Sequence, residues 1–165
     1  MNEKRKELLM AAFTGEARAF FRLQAFAERA EEEGYPQIAA LFRAIAEAEA
    51  VHARNHSRLI EVIGTTEENL RYAFEQESFV NEVAYPELLK AAWAVEDEAA
   101  VRHLTWARNA EERHAKLYKH ALGHMVADRT TTYYVCRHCG WVEDAVLPEA
   151  CPNCANPAED FKAVR

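Results

Sequence analysis

No run of apolar residues in this 165-residue chain approaches the ~20 needed to cross a bilayer. The opening MNEKRKELLM carries charge but no apolar signal segment behind it, so a cytoplasmic protein without membrane contact is expected. Glycine and proline are scarce, five of each, while half of the residues are hydrophobic and 28% are charged. That balance leaves little scope for a disordered tail and describes one full core plus a small appendage. A surplus of positive charge is also missing. The formal net charge is −7, most of it in residues 1–128, which makes nucleic acid and anionic membrane surfaces poor partners. Cysteine is absent until Cys136. Four then follow close together, Cys136, Cys139, Cys151 and Cys154, as two C-x-x-C pairs. A disulfide framework would be unusual in a cytosolic chain, whereas a tetrathiolate metal site suits both spacing and compartment.

What is present up to about residue 126 is helical composition, rich in Ala, Glu, Leu and Arg with only two prolines. Gly34-Tyr35-Pro36 breaks it once, with Pro36 suited to a first helical position. Ile63 to Glu68 breaks it again: Gly64 can end a helix, and Thr65 with Glu68 can form a capping box. A weaker break falls at Glu96-Asp97-Glu98. Four amphipathic helices are expected, over 3–33, 36–63, 66–95 and 98–125, and four of that length form a bundle. Beyond a boundary near Asp128, the β-branched and aromatic run Thr130 to Val135 and three prolines announce short strands and turns.

The apolar seam of each helix carries a carboxylate near its middle. Glu16 lies among Leu9, Phe13, Phe20, Leu23 and Ala27. Glu49 and His52 lie among Ile38, Phe42, Ile45 and Leu59. Glu77 lies between Phe74 and Val80 or Asn81, with Ala84 and Leu88 continuing the stripe. Glu111 and His114 lie among Leu104, Ala107, Tyr118, Ala121 and Met125. Four inward carboxylates would each cost several kcal/mol unless a cation neutralised them. Two Glu-x-x-His pairs plus one Glu from each remaining helix form the carboxylate-bridged dinuclear ligand set of ferritin-like bundles. Four carboxylates balance two divalent ions, and oxygen with imidazole suits iron or manganese, with zinc still open. His56 falls on the same seam and reads as a supporting or capping group. Glu47 and Glu112 read as surface, and His103, His120 and His124 as structural. The two cysteine knuckles form a tetrahedral cage for zinc or iron. Zinc would make it a structural ribbon, iron a one-electron carrier.

Over essentially the whole chain the sequence resembles the rubrerythrin family, through Ala11-Ala12-Phe13-Thr14-Gly15-Glu16, Glu49-x-x-His52, Glu77 with Tyr85-Pro86, Glu111-x-x-His114 and the cysteine knuckles. The resemblance implies an all-α ferritin-like four-helix bundle over residues 1–128 with a di-iron site. It implies a small C-terminal rubredoxin-like metal-binding β domain over 129–165 with iron, or zinc, on Cys136, Cys139, Cys151 and Cys154. Glu16, Glu49, His52, Glu77, Glu111 and His114 would then be the di-iron ligands, with Tyr85 retained beside them. The implied activity is a peroxidase that reduces hydrogen peroxide to water in oxidative stress defence. Its electrons would come from NAD(P)H through a separate reductase or rubredoxin. Two positions depart from the family pattern: Val80 stands where a further Glu is usual, and Leu23 where a Tyr is. Glu75 and Glu82 lie off the face of Glu77 and do not replace the missing carboxylate. The proton source then falls to Glu16 or Glu77. A ferroxidase-like protein that oxidises Fe²⁺ with O₂ or peroxide, and a zinc-loaded metal-binding protein without activity, are the alternatives.

The connection Gly64-Thr65-Thr66 reaches only about 10 Å, whereas a ferritin-like crossover must run on the order of 40 Å. Either the bundle is plain up-down-up-down, or helix pairs are exchanged in a homodimer. The resemblance favours exchange.

Overall fold

The computed structural model describes residues 2–124 and 131–165. The expected boundary at Asp128, and with it Met125 and Thr130, lies outside the described residues. The chain forms two compact units, Met1–Gly64 and Thr65–Arg165.

The first unit is a helical hairpin of α1 (Glu3–Glu32) and α2 (Pro36–Ile60). Asn2 caps α1 by accepting the Lys4 N–H, and Gly34, in the left-handed region at φ 82°, turns the chain so that Pro36 can open α2. The contact face of α2 is an alanine line, Ala39, Ala46 and Ala53, ending in Ile60, all buried. Small side chains let the two helices approach closely, with Ala27, Ala30 and Phe42 packed beside Ala39. The bulkier Ile38, Ile45 and Leu59, expected to point inward, instead form a neighbouring stripe and are exposed. Helix α2 also stops earlier than residue 63. Glu61 takes the left-handed position at φ 60° and caps it, because the β-branched Val62 and Ile63 favour extended backbone over another helical turn.

The second unit opens with the expected capping box: the Thr65 side chain accepts the Glu68 N–H while the Glu68 carboxylate accepts the Thr65 N–H at 2.7 Å. Helix α3 (Thr66–Phe79) passes through a π turn, Val80–Ala84, into α4 (Tyr85–Ala94). Asp97 then caps α5 (Glu98–Gly123), its side chain accepting the Ala100 N–H at 2.9 Å. The wider π turn advances the helical frame by one residue. Leu88, expected inward, is therefore exposed, and Leu89 takes its place. The Asn81 side chain donates to the Arg108 carbonyl at 2.7 Å, and Arg108 Nε donates back to the Asn81 carbonyl at 3.2 Å, tying the π turn to α5.

Strands β1 (Tyr133–Cys136), β2 (Val142–Asp144) and β3 (Phe161–Val164) form an antiparallel sheet in the order β2-β1-β3. Tyr134 faces Glu143 on one side and Ala163 on the other. The small core beneath is Cys136, Cys151 and Phe161, with Tyr134 and Trp141 against it. The expected fold class is therefore present: the helices of a ferritin-like protein, one of them interrupted by the π turn, and a small cysteine-bearing sheet. Among the described residues no helix is long and apolar enough to cross a membrane.

Candidate metal centres

Three clusters bring the expected residues together. In the first unit Glu16, Glu49 and His52 place ligand atoms within 4.8 Å of one another. Glu49 and His52 are one helical turn apart, so Glu49 Oε2 lies 3.0 Å from His52 Nδ1. Hydrogen bonds from His52 and then from Glu16 hold the Glu49 carboxyl below the usual carboxylate range. Leu23 is half-buried two turns beyond Glu16 on α1 and offers no polar atom. His56 turns its Nδ1 into the hairpin, where that atom is buried with no hydrogen-bond partner, and it does not join the cluster.

In the second unit Glu77, Glu111 and His114 form the matching triad. His114 Nδ1 is 3.0 Å from Glu111 Oε2 and 3.9 Å from Glu77 Oε2. Burial and the adjacent Glu111 push the Glu77 carboxyl up to about 8. The Glu111 carboxylate beside it disfavours charge on Glu77, an unfavourable pairing that a bound cation would relieve. Burial first, and the Glu111 charge second, raise Tyr85, which lies beside Glu111. The π turn is what aims it. On a plain helix, eight residues from Glu77 would leave Tyr85 roughly 80° off its face, whereas roughly 4.4 residues per π turn brings it to within roughly 10°. Burial also raises Tyr118 beside the same carboxylates. Val80 opens the π turn and brings no ligand atom, and Glu75 and Glu82 are exposed. Glu47 and Glu112 lie on the surface as expected, Glu112 paired with Lys116.

In the third cluster, Cys136, Cys139, Cys151 and Cys154 are free thiols converging within 4.8 Å. Cys136 and Cys154 sulfurs are 3.7 Å apart, Cys139 and Cys151 3.6 Å. A tetrahedral ion with metal–sulfur bonds of about 2.3 Å sets its sulfurs about 3.8 Å apart, so the cage has the size of zinc or iron. Burial raises the Cys139 and Cys154 thiols; at Cys136 the same burial is outweighed by N–H donors from Cys139 and His138, and its thiol is lowered.

The donor chemistry of the helical triads fits iron equally well. The His114 Nε2 lies 2.9 Å from the Gly140 carbonyl oxygen, which can only accept. A metal on Nδ1 would need the imidazole proton on Nε2, the nitrogen that faces this carbonyl acceptor.

Sequence reading did not find what seats the cysteine module on α5. Arg113 donates from Nε to the Val142 carbonyl at 2.9 Å, pairs with Glu143 at 3.1 Å and lies over the Trp141 ring. His103 and Trp106 of α5 stack edge-on, and His138 of the first knuckle packs against Trp106 at 4.9 Å. Asn153 of the second knuckle reaches the Trp106 carbonyl at 2.7 Å. None of these pairings has a local signature in the sequence.

The rubrerythrin family model matches residues 7–122. Rubrerythrin-2 of Clostridium acetobutylicum is 31% identical, the match covering 98% of this chain and 97% of that protein. Nigerythrin of Nitratidesulfovibrio vulgaris is 31% identical over 95% of this chain and 85% of its own length. Among solved structures, nigerythrin in a partially reduced state gives a TM-score of 0.61 at 30% identity, covering 97% of this chain and 86% of that one. Its fully reduced, all-ferrous state gives 0.59 over the same shares.

Proposed function

The chain belongs to the rubrerythrin family, and from that premise we propose that it is a di-iron peroxidase that reduces hydrogen peroxide to water. Its family is one of iron-binding oxidoreductases; the peroxide substrate, the reductase and the assembly are the finer steps of this reading. Glu16, Glu49 and His52 would hold one iron, Glu77, Glu111 and His114 the second, and the four cysteines a third. Iron held by these residues would supply the redox chemistry for the two-electron, two-proton reduction of hydrogen peroxide to two waters, and iron on the four cysteines would supply one-electron transfer.

The observation that carries the reading is the position of His114. One imidazole nitrogen faces the Glu77 and Glu111 carboxylates, and the other bonds the carbonyl of Gly140, the residue after Cys139. A metal-binding storage protein has no need of a thiolate cage joined by one side chain to its carboxylate triad. An electron relay does. The chain's own groups do the remaining work. Tyr85 orients Glu111, and its raised hydroxyl stays protonated at neutral pH. Leu70, Leu117 and Tyr118 line a mostly apolar cavity that reaches His114. With valine at position 80, proton delivery is assigned to Glu16, which lies beside Glu49, or to Glu77.

Electrons would arise from NAD(P)H and arrive through a separate reductase or rubredoxin in the cytoplasm, where free thiols persist. A homodimer is part of the reading. The α1–α2 hairpin buries little beyond alanines and leaves Ile38, Leu41, Ile45 and Leu59 exposed, more apolar surface than a stable lone hairpin presents to water.

Anaerobic stopped-flow absorption tests the activity. Iron-loaded, fully reduced protein is mixed with hydrogen peroxide and separately with O₂, and reoxidation of the Cys₄ centre is followed. Much faster reoxidation by peroxide, abolished by Glu49→Ala and by Glu111→Ala, is expected. Slow reoxidation by both oxidants would replace this reading with a ferroxidase or metal-binding role.

A further inference from the structure

Three sulfurs of the cysteine cage, those of Cys136, Cys139 and Cys154, receive hydrogen bonds from the backbone of the two tight knuckles. Cys136 accepts from the Cys139 and His138 N–H groups, Cys139 from Trp141, and Cys154 from Asn156. One donor is different in kind. The side-chain Nδ2 of Asn153 lies 3.5 Å from the Cys139 sulfur. The same nitrogen donates to the Trp106 carbonyl of α5 at 2.7 Å, and Asn153 Oδ1 accepts from Asn109 Nδ2 at 3.0 Å.

This arrangement has one consistent orientation. A backbone carbonyl only accepts, so the Trp106 oxygen requires the nitrogen of the Asn153 amide, not its oxygen. An amide nitrogen carries two hydrogens, and with one on Trp106 the second is left for Cys139. The exposed Asn109 then completes the amide from its oxygen side. Both ends of the Asn153 amide are held by α5, and its remaining hydrogen is directed at a sulfur of the cage.

We propose that Asn153 sets the reduction potential of the Cys₄ centre and makes it depend on the seating of the cysteine module on α5. The proposal rests on the electron-relay reading above. With iron in the cage, reduction takes one electron from the donor and converts iron(III) to iron(II), adding one negative charge that the sulfurs share. An N–H dipole aimed at a sulfur stabilises that extra charge, so the reduced state is favoured and the potential rises. The donor is held by the main chain of α5, at Trp106. A module lifted from the helix would lose the aim of the amide, and the centre would become easier to oxidise. Seated, it accepts and holds an electron beside the helix that carries Glu111 and His114.

The test is a mediated potentiometric titration of the Cys₄ absorption in iron-loaded, full-length protein, comparing wild type with Asn153→Ala, Asn153→Asp and Asn109→Ala. Removing the donor in Asn153→Ala is expected to shift the one-electron equilibrium about tenfold toward the oxidised state, a fall of about 59 mV. Asn153→Asp keeps the shape, removes the N–H and adds charge, so its potential falls at least as far. Asn109→Ala touches no sulfur and is expected to lower the potential by a smaller amount; this variant also carries the test if an Asn153 variant does not assemble its iron. A role confined to packing would leave the midpoints alone. Unmoved potentials in variants with an intact Cys₄ spectrum would overturn the inference while leaving the relay reading standing. A wild-type centre with no one-electron couple would overturn both.

Discussion

The two nitrogens of His114 serve different residues: Nδ1 lies 3.0 Å from Glu111 Oε2, while Nε2 is 2.9 Å from the carbonyl of Gly140. Replacing His114 with Gln removes a ligand that only a ring nitrogen can supply at that reach. Iron content is expected to fall by about one ion per chain, with the visible spectrum of the Cys₄ centre unchanged. Elemental analysis of the purified variant beside wild type measures it, and full retention of iron would remove His114 from the ligand set.

Stripped of metal, the second triad should make stability depend on pH. The Glu77 carboxyl is raised from 4.5 to about 8 by burial and by Glu111, so between those values the folded chain holds a proton that the unfolded chain releases. Stability of the metal-free protein is accordingly highest below about 4.5 as far as this group is concerned, and declines as pH rises toward 8. Thermal melts of chelator-treated protein across that window, with Glu77→Gln showing a flatter dependence, provide the check.

A hydroxyl-to-hydrogen change at Tyr85 isolates the group that the π turn aims at Glu111. Tyr85→Phe keeps the ring and the helix, and with them metal occupancy. Peroxide-driven reoxidation is expected to slow about tenfold, the worth of one hydrogen bond of about 1.4 kcal/mol. Rapid-mixing rates at matched iron content decide it; an unchanged rate would reduce Tyr85 to a packing role.

At the start of α3 the reciprocal bonds of Thr65 and Glu68 satisfy two otherwise free backbone donors. Thr65→Ala should destabilise the protein by about 1 kcal/mol, read from denaturant midpoints at constant slope. No change would mean that water replaces the cap without loss.

Much of this architecture was legible because it is periodic or local. The seam carboxylates, the capping box at Thr65 and Glu68, the turn at Gly34-Tyr35-Pro36 and the paired knuckles each announce themselves within a few residues. The π turn does not. Nothing in Val80 to Ala84 forces it, since its ties run to Arg108, 27 residues away, and the one-residue shift it causes is why Leu89 stands where Leu88 was expected. The seam of α2 misled for a similar reason. Hydrophobicity ranks Ile38 and Ile45 above Ala39 and Ala46, but close helix approach selects the smaller side chains. Asn153 and Trp106, 47 residues apart, meet only because the module docks on α5.

The alanine line of α2 has a further effect. Ala39, Ala46 and Ala53 recur every seven residues, so one tooth of this rack differs little from the next, and a slip of one repeat would meet nearly the same surface. Such a slip would carry Glu49 about 10 Å past Glu16. The ion pair of Arg43 with Glu31 near the turn resists it, as does the tight reversal at Gly34. A cation gripped by Glu16, Glu49 and His52 would act at the far side of the rack as a locking pin, so that filling the metal site also fixes the alignment of the helices that create it.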